Sequence, residues 1–242
     1  QVDSAAQWLQ MTWMFFYDKK KWTQPRIRSF LKAVPDDKLI LLDYYCDHTE
    51  IWRNTEKYYG NPYIWCYLGN FGGNTMIAGN LNDIDFKIKR LFKEGGDNVY
   101  GLGATLEGFD VNPLMYEFVF DQAWDYPVTT DQWITNWSMC RGGDQDANII
   151  KAWRALHQNI YTEYAICGQS VLMNARPRLT GTKSWNTNPG IHYANNDLWQ
   201  IWKELLKARN INNSDFRFDV INIGRQVLGN LFSEYRDQFT AC

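Results

Sequence analysis

KLILLDYY, Lys38 to Tyr45, is the stretch on which the fold turns. Leu39 to Leu42 is an unbroken apolar run with no helical stagger, and Asp43 closes it. A strand covered on both faces reads this way, and such strands belong to parallel sheets flanked by helices. Working outward, QWLQMTWMFFY (Gln7 to Tyr17) is strand-like and rich in aromatics, and RIRSFLKAV (Arg26 to Val34) carries Ile27, Phe30, Leu31 and Val34 at helical spacing before Pro35. NPYIWCYLGNF (Asn61 to Phe71) reads as a third strand closed by Gly72-Gly73. IDFKIKRLFKE (Ile84 to Glu94) is amphipathic, with Ile84, Ile88, Leu91 and Phe92 on one side. NVYGLGATLEG (Asn98 to Gly108) is a fourth strand, and Leu114 to Trp124 continues as a helix.

Strands alternating with helices predict a parallel sheet with crossover helices. Four such strands are half of a (β/α)8 barrel, a fold that takes about 250 residues in full; a small open α/β sheet is the other reading. After Pro127 the pattern changes. ITNWSMC, NIIKAWRALHQNIYTEY, DLWQIWKELLKA and FRFDVINIGRQVLGNLFSEYRDQF all read as helices, with a long polar loop at Asn174 to Gly190. The fold class is therefore α/β followed by all-α, over residues 1–126 and 127–242.

Composition narrows the function. The 242 residues include 45% hydrophobic side chains, enough for a sizeable core, and carry a formal net charge of −2. The longest basic run is Lys19-Lys20-Lys21, which argues against nucleic acid or an anionic membrane surface as main partner. Aromatic residues stand out, with 12 Trp, 14 Tyr and 13 Phe in a chain whose mean hydropathy is −0.47. Flat C–H faces of sugars pack on such rings while their hydroxyls need Asn, Asp and Glu, although protein interfaces use Trp and Tyr as well. The five cysteines (Cys46, Cys66, Cys140, Cys167 and Cys242) form no CxxC pair, and histidine is limited to His48, His157 and His192. A structural zinc site is not expected, and buried free thiols are. No run of about 18 apolar residues predicts a membrane span. Asn136 and Asn212 begin Asn-X-Ser sequons.

The carboxylate of GLGATLEGFDVNPLMY, Gly101 to Tyr116, is the first candidate for chemistry. Glu107 follows a strand and sits among glycines, where α/β enzymes mount catalytic groups and where little backbone bulk obstructs a substrate. It can serve as a glycosidase nucleophile partnered by a second carboxylate, or be a surface glutamate or a helix N-cap partner. Asp43 can be a second acid or can hold a neighbouring loop. Trp13 and Trp65 lie near strand ends, as sugar platforms or as core. Asn70 and Asn74 bracket Phe71-Gly72-Gly73 and can bind hydroxyls or serve the turn. Gly72-Gly73 lacks the flanking pattern of a phosphate loop, and no Ser, Cys or His forms a nucleophile–base set.

WLQMTW, LKAVP, KLILLDYY, PYIWCYLGNFGGN, GLGATLEG and NPLMY, in that order, resemble the α-N-acetylglucosaminidases, glycoside hydrolase family 89. The resemblance runs from about Ala6 to the region of Trp202, and PYIWC…NFGGN is its most specific part. It implies an exo-acting retaining hydrolase that releases terminal α-linked N-acetylglucosamine, built as a (β/α)8 barrel followed by a helical domain, with no metal or organic cofactor. It implies Glu107 as nucleophile and Trp13, Trp65, Asn70 and Tyr116 beside the sugar, and an extracytoplasmic location.

The family pattern is departed from in three places: Leu106 stands where Pro is frequent, Gly69 where His is frequent, and Arg141-Gly142-Gly143 where Arg-Tyr-Gly is usual. The family's acid/base glutamate follows an asparagine, and no Asn-Glu pair occurs in this sequence. The resemblance thus reads the chain as a C-terminal portion, half of the barrel plus part of the helical domain, with the N-terminal remainder of the enzyme as its first partner. A non-catalytic carbohydrate-binding protein on the same scaffold is the alternative.

Overall fold

The computed structural model describes residues 3, 5–73, 75–108, 112–124, 128–142, 145–164, 191–209 and 212–241. In chain order the elements are β1 (Trp8–Met11), α1 (Trp13–Tyr17), α2 (Gln24–Leu31), β2 (Leu39–Asp43), β3 (Tyr63–Tyr67), β4 (Gly79–Asn80), α3 (Leu81–Glu94), β5 (Val99–Ala104), α4 (Pro113–Asp121), α5 (Thr130–Gly142), α6 (Ala147–Asn159), β6 (Thr162–Glu163), α7 (Asn195–Leu205) and α8 (Ser214–Ala241). They fall into two compact units. The first comprises Gln1–Leu68, Asp83–Leu106 and Tyr116–Asp125; the second comprises Gly69–Asn82, Glu107–Met115 and Tyr126–Cys242.

The first unit holds a four-stranded sheet in the order β1-β2-β3-β5. All three pairings are parallel, with Met11 opposite Leu42, Asp43 opposite Trp65, and Tyr67 opposite Ala104. Along β2 only one face is fully covered: Leu39, Leu41 and Asp43 are buried while Ile40 and Leu42, expected to be covered too, are partly exposed; Tyr63 and Trp65 of β3 lie in the core. On α3, Ile84, Ile88 and Leu91 turn inward, each burial contributing about 2 kcal/mol. Phe92, expected on that face, is exposed instead; it lies one residue, about 100°, past Leu91 on the helix. On α2, Ile27 and Leu31 are buried while Phe30 is at the surface. This helix stops at Leu31, short of the Val34 that its spacing suggested.

The first strand is shorter than expected and carries a consequence for Trp13. Thr12 closes β1 by donating both its N–H and its hydroxyl to Leu42 O, each at 3.0 Å. The chain then coils into α1, so Trp13 begins a helix rather than ending a strand. The β-propensity of WMFFY yields to packing. One helical turn buries Phe15 against Trp22 and Phe30, with ring centroids at 5.1 and 6.1 Å.

The second unit is mainly helical. Helix α5 packs on α6, α6 on α7, and α7 and α5 on α8. Trp137 meets Trp153 edge-on at 4.5 Å, and Trp133 stacks on Trp137 at 5.9 Å. Asp146 caps α6 by accepting the Asn148 N–H at 2.8 Å. Arg141 makes a two-bonded ion pair with buried Asp219, at 3.0 and 2.7 Å, which ties α5 to α8. A β-carbon at Gly142 would come within 2.7 Å of Ile149, so the glycine of the divergent Arg-Gly-Gly segment fits a close helix contact. The unit also contains the short antiparallel pair β4 and β6. Cys46 and Cys66 are buried free thiols as expected, whereas Cys140 is exposed, since α5 buries Trp133, Ile134, Trp137 and Ser138 on its other face. Cys167, Cys242, Asn74 and the loop Asn174 to Gly190 lie outside the described residues.

Candidate functional site

A parallel sheet brings the C-terminal ends of its strands to one edge. In the first unit that edge is laced together. Thr105, directly after β5, donates its N–H to Tyr67 O at 3.0 Å and its hydroxyl to Tyr44 O at 2.6 Å. The segment after β2 is pinned by three carboxylates. Asp43 accepts the N–H groups of Ile51 and Trp52, Asp47 accepts the Leu68 N–H at 3.0 Å, and Glu50 accepts the indole N–H groups of Trp52 and Trp65 at 3.1 and 3.0 Å. Arg90 on α3 pairs with the other oxygen of Glu50. Burial pushes the Asp43 carboxyl up to about 7 against the pull of its two amide donors. Asp43 thus holds a loop and offers no surface to a substrate.

Trp65 is fully buried, its ring presenting no face to solvent among the described residues. Trp13 is half-buried and packs with Phe16, Tyr44 and Tyr45 at 5.0 to 5.9 Å. Tyr45 in turn stacks on His48 at 4.9 Å with the planes 8° apart. Trp13, Phe16, Tyr44 and Tyr45 thus form a partly exposed aromatic shelf beyond β1 and β2. Tyr116 on α4 is buried; its hydroxyl donates to Leu68 O and its ring meets Tyr67 edge-on at 5.0 Å.

The second unit holds the other two candidates together. Glu107, three residues beyond the end of β5, is exposed, and Asn70 is 2% exposed. The Glu107 N–H donates to Asn70 Oδ1 at 3.1 Å, and Asn70 Nδ2 donates to Gly108 O at 3.1 Å. The Gly72 N–H donates to Glu107 Oε2. Gly72 and Gly73 take φ of 67° and 76°, conformations that suit glycine. An exposed carboxylate with one oxygen held by a main-chain amide can act as a nucleophile or as an electrostatic stabiliser of a cation.

Sequence reasoning singled out Glu107, Asp43, Trp13, Trp65, Asn70 and Tyr116 and passed over Asp47, Glu50, Arg90 and Tyr45. The acidic spacing of DHTE after β2 was the available signal for the first two. Arg90 carried none, because it is one of several cations on α3. Among the described residues, no group of three or more His, Cys, Asp or Glu is arranged to hold a metal, and no helix is long and apolar enough to cross a membrane.

Comparison with known proteins fits this arrangement. Residues 1–126 match the family described as "Alpha-N-acetylglucosaminidase (NAGLU) tim-barrel domain", and residues 133–242 match its C-terminal domain. The α-N-acetylglucosaminidase of Homo sapiens is 30% identical over 243 residues, covering 98% of this chain and 32% of its own length. A family 89 glycoside hydrolase from Clostridium perfringens in complex with PUGNAc superposes with a TM-score of 0.80 at 23% identity, over 96% of this chain and 26% of that one. A structure from the same organism in complex with its substrate GlcNAc-α-1,4-galactose gives 0.78 at 24% identity, over 97% and 26%. The chain thus spans about a third or less of the length of these relatives. With both halves matched in order to the same enzyme, the chain belongs to the α-N-acetylglucosaminidases, glycoside hydrolase family 89.

Proposed function

We propose that this chain supplies the nucleophile side of an exo-acting retaining glycosidase that releases terminal α-linked N-acetylglucosamine from glycans. The observation that carries the reading is Glu107: an exposed carboxylate just past a parallel strand, with its main chain and one oxygen held by Asn70 and Gly72. Glu107 attacks the anomeric carbon as the leaving oxygen departs, giving a covalent glycosyl-enzyme that water then hydrolyses. The acid/base glutamate comes from outside this chain, since no Asn-Glu pair is present. The four parallel strands are then half of a (β/α)8 barrel, and the N-terminal remainder of the enzyme covers the exposed Trp8, Leu9 and Met11 of the edge strand β1. The family pattern gives Trp13, Trp65, Asn70 and Tyr116 to the sugar pocket, and the accessible ring among them is that of Trp13. The enzyme works outside the cytoplasm and needs no cofactor.

Hydrolysis of an aryl α-N-acetylglucosaminide by the full-length protein and its Glu107→Gln variant tests this. The variant should lose 10³-fold or more, as nucleophile variants do; near-wild-type turnover by Glu107→Gln overturns the assignment. A second reading, a carbohydrate-binding protein without turnover, draws on Gly69. Its φ of 65° suits glycine, at a position where the family frequently has His, so the rim has lost a side chain. Sugar binding by the full-length protein with no hydrolysis of any α-N-acetylglucosaminide would favour it.

A further inference from the structure

We infer that Asn70 is the positioning residue of the Glu107 carboxylate rather than a ligand of the sugar, and that Gly72 completes the same clamp; the inference rests on Glu107 being the nucleophile. Both ends of the Asn70 amide are turned to the Glu107 turn. Its oxygen accepts the Glu107 N–H and its nitrogen donates to Gly108 O, both at 3.1 Å, and the side chain is almost wholly out of solvent. A hydroxyl of a sugar would have to compete with these two bonds. The Gly72 N–H meanwhile holds Glu107 Oε2, which restricts rotation of the carboxylate about its last bond. The two segments meet backbone to backbone: a β-carbon at Gly108 would lie 3.1 Å from Gly73 Cα and 3.4 Å from Asn70 Nδ2. The left-handed φ of Gly72 places its amide there, and a side chain at that position strains the loop.

Such a clamp acts on the covalent step. A new bond forms from a Glu107 oxygen to the anomeric carbon as that carbon's bond to the leaving group breaks, and the electron pair leaves with the leaving group. The step requires the oxygen about 3–3.5 Å from the carbon and in line with the departing bond, and misplacement by about 1 Å costs roughly 10²-fold. Loss of the clamp therefore lowers the rate of attack and leaves ground-state affinity alone, since the pocket that grips the sugar is untouched.

A 5-fluoro α-N-acetylglucosaminyl fluoride is the probe. Its fluoride leaves without a proton, and the glycosyl-enzyme accumulates and can be located by peptide mass spectrometry. On the full-length protein the adduct is expected on Glu107. Asn70→Ala and, independently, Gly72→Ala should lower the saturating rate constant of adduct formation by about 10- to 100-fold. The half-saturating probe concentration and the Kd of free N-acetylglucosamine should stay within about threefold of wild type. Gly72→Ala keeps Asn70 intact and, because a side chain disfavours the left-handed φ, shifts the amide that holds Glu107 Oε2, so it carries the test if Asn70→Ala does not fold. Weakened affinity with an unchanged saturating rate in Asn70→Ala makes Asn70 a sugar ligand and overturns the inference. An unchanged rate in Gly72→Ala removes the clamp. An adduct on a residue other than Glu107 in wild type overturns the nucleophile reading itself, a failure separate from the other two.

Discussion

The Asp43 carboxylate, at the end of β2, accepts the main-chain N–H groups of Ile51 at 3.2 Å and Trp52 at 2.9 Å. It has no exposed surface, and burial outweighs both amides to bring its folded pKa to about 7 from 3.8. Below pH about 4 the folded and unfolded chains both hold the proton. Between about 4 and 7 the folded chain keeps a proton that the unfolded chain releases, so stability falls as pH rises through this window. Above about 7 the loss is complete. An Asp43→Asn side chain cannot ionise, so the difference in Tm between wild type and Asp43→Asn, measured across pH 4 to 8, should move against wild type up to about pH 7 and then level off. A difference independent of pH would show that Asp43 does not titrate in this range.

Glu50 joins Trp52, Trp65 and Arg90 in one buried polar group. Removing it orphans two indole N–H donors and leaves the mostly buried Arg90 guanidinium without its carboxylate. Breaking a buried ion pair from one side typically costs about 3–5 kcal/mol. Glu50→Ala should therefore lower Tm sharply, while Glu50→Gln, which keeps an acceptor for the indoles, should lose less. The double variant Glu50→Gln with Arg90→Met should recover part of the loss, because no buried charge is left alone. Thermal denaturation of the three variants checks the order.

The strands and helices were legible where one physical cause dominated. Leu39 to Leu42 read as a strand of a parallel sheet, although only its Leu39 and Leu41 face is fully covered, and Ile84, Ile88 and Leu91 as one face of a helix. The stretch from Trp8 to Tyr17 was not legible as two elements, since Trp, Phe and Tyr suit a strand as well as a helix and the packing of Phe15 decides between them. In the site, Glu107 stood out as a lone acid among glycines. The roles of Asn70 and Trp65 did not, because an asparagine in a glycine loop and a tryptophan at a strand end look the same whether they face a ligand or a neighbour. In the structure Asn70 accepts from the Glu107 N–H, 37 residues on, and Trp65 donates to Glu50, 15 residues back.

Cys140 and the pair Cys46 and Cys66 should differ in thiol chemistry. Burial pushes the Cys66 thiol up to about 12 and raises Cys46 as well, with the Asp43 charge adding to both. The thiolate is the reactive form, so neither should be alkylated in the native state at pH 8. Cys140 is exposed on α5 and should react within minutes. Iodoacetamide labelling followed by peptide mapping, before and after denaturation, reads all three. Rapid native labelling of Cys46 or Cys66 would mean that the loop after β2 opens far more often than its three carboxylate anchors allow.

The Tyr116 hydroxyl is already engaged on Leu68 O, and burial pushes its phenol up, so it stays a neutral donor at any working pH. The same Leu68 gives its N–H to Asp47, which leaves the end of β3 held on both sides by side chains. A hydroxyl used this way braces the strand end. Tyr116→Phe keeps the ring on Tyr67 but leaves a buried carbonyl short of one donor, which should cost about 1–3 kcal/mol in stability. Because the carbonyl lies two residues before Asn70, the variant should also lower kcat of the full-length enzyme by a small factor and leave KM within about twofold, as expected of an interaction made away from the substrate. A rise in KM with unchanged Tm would instead put the hydroxyl on the sugar. Melting curves and steady-state kinetics on the same preparation separate the two.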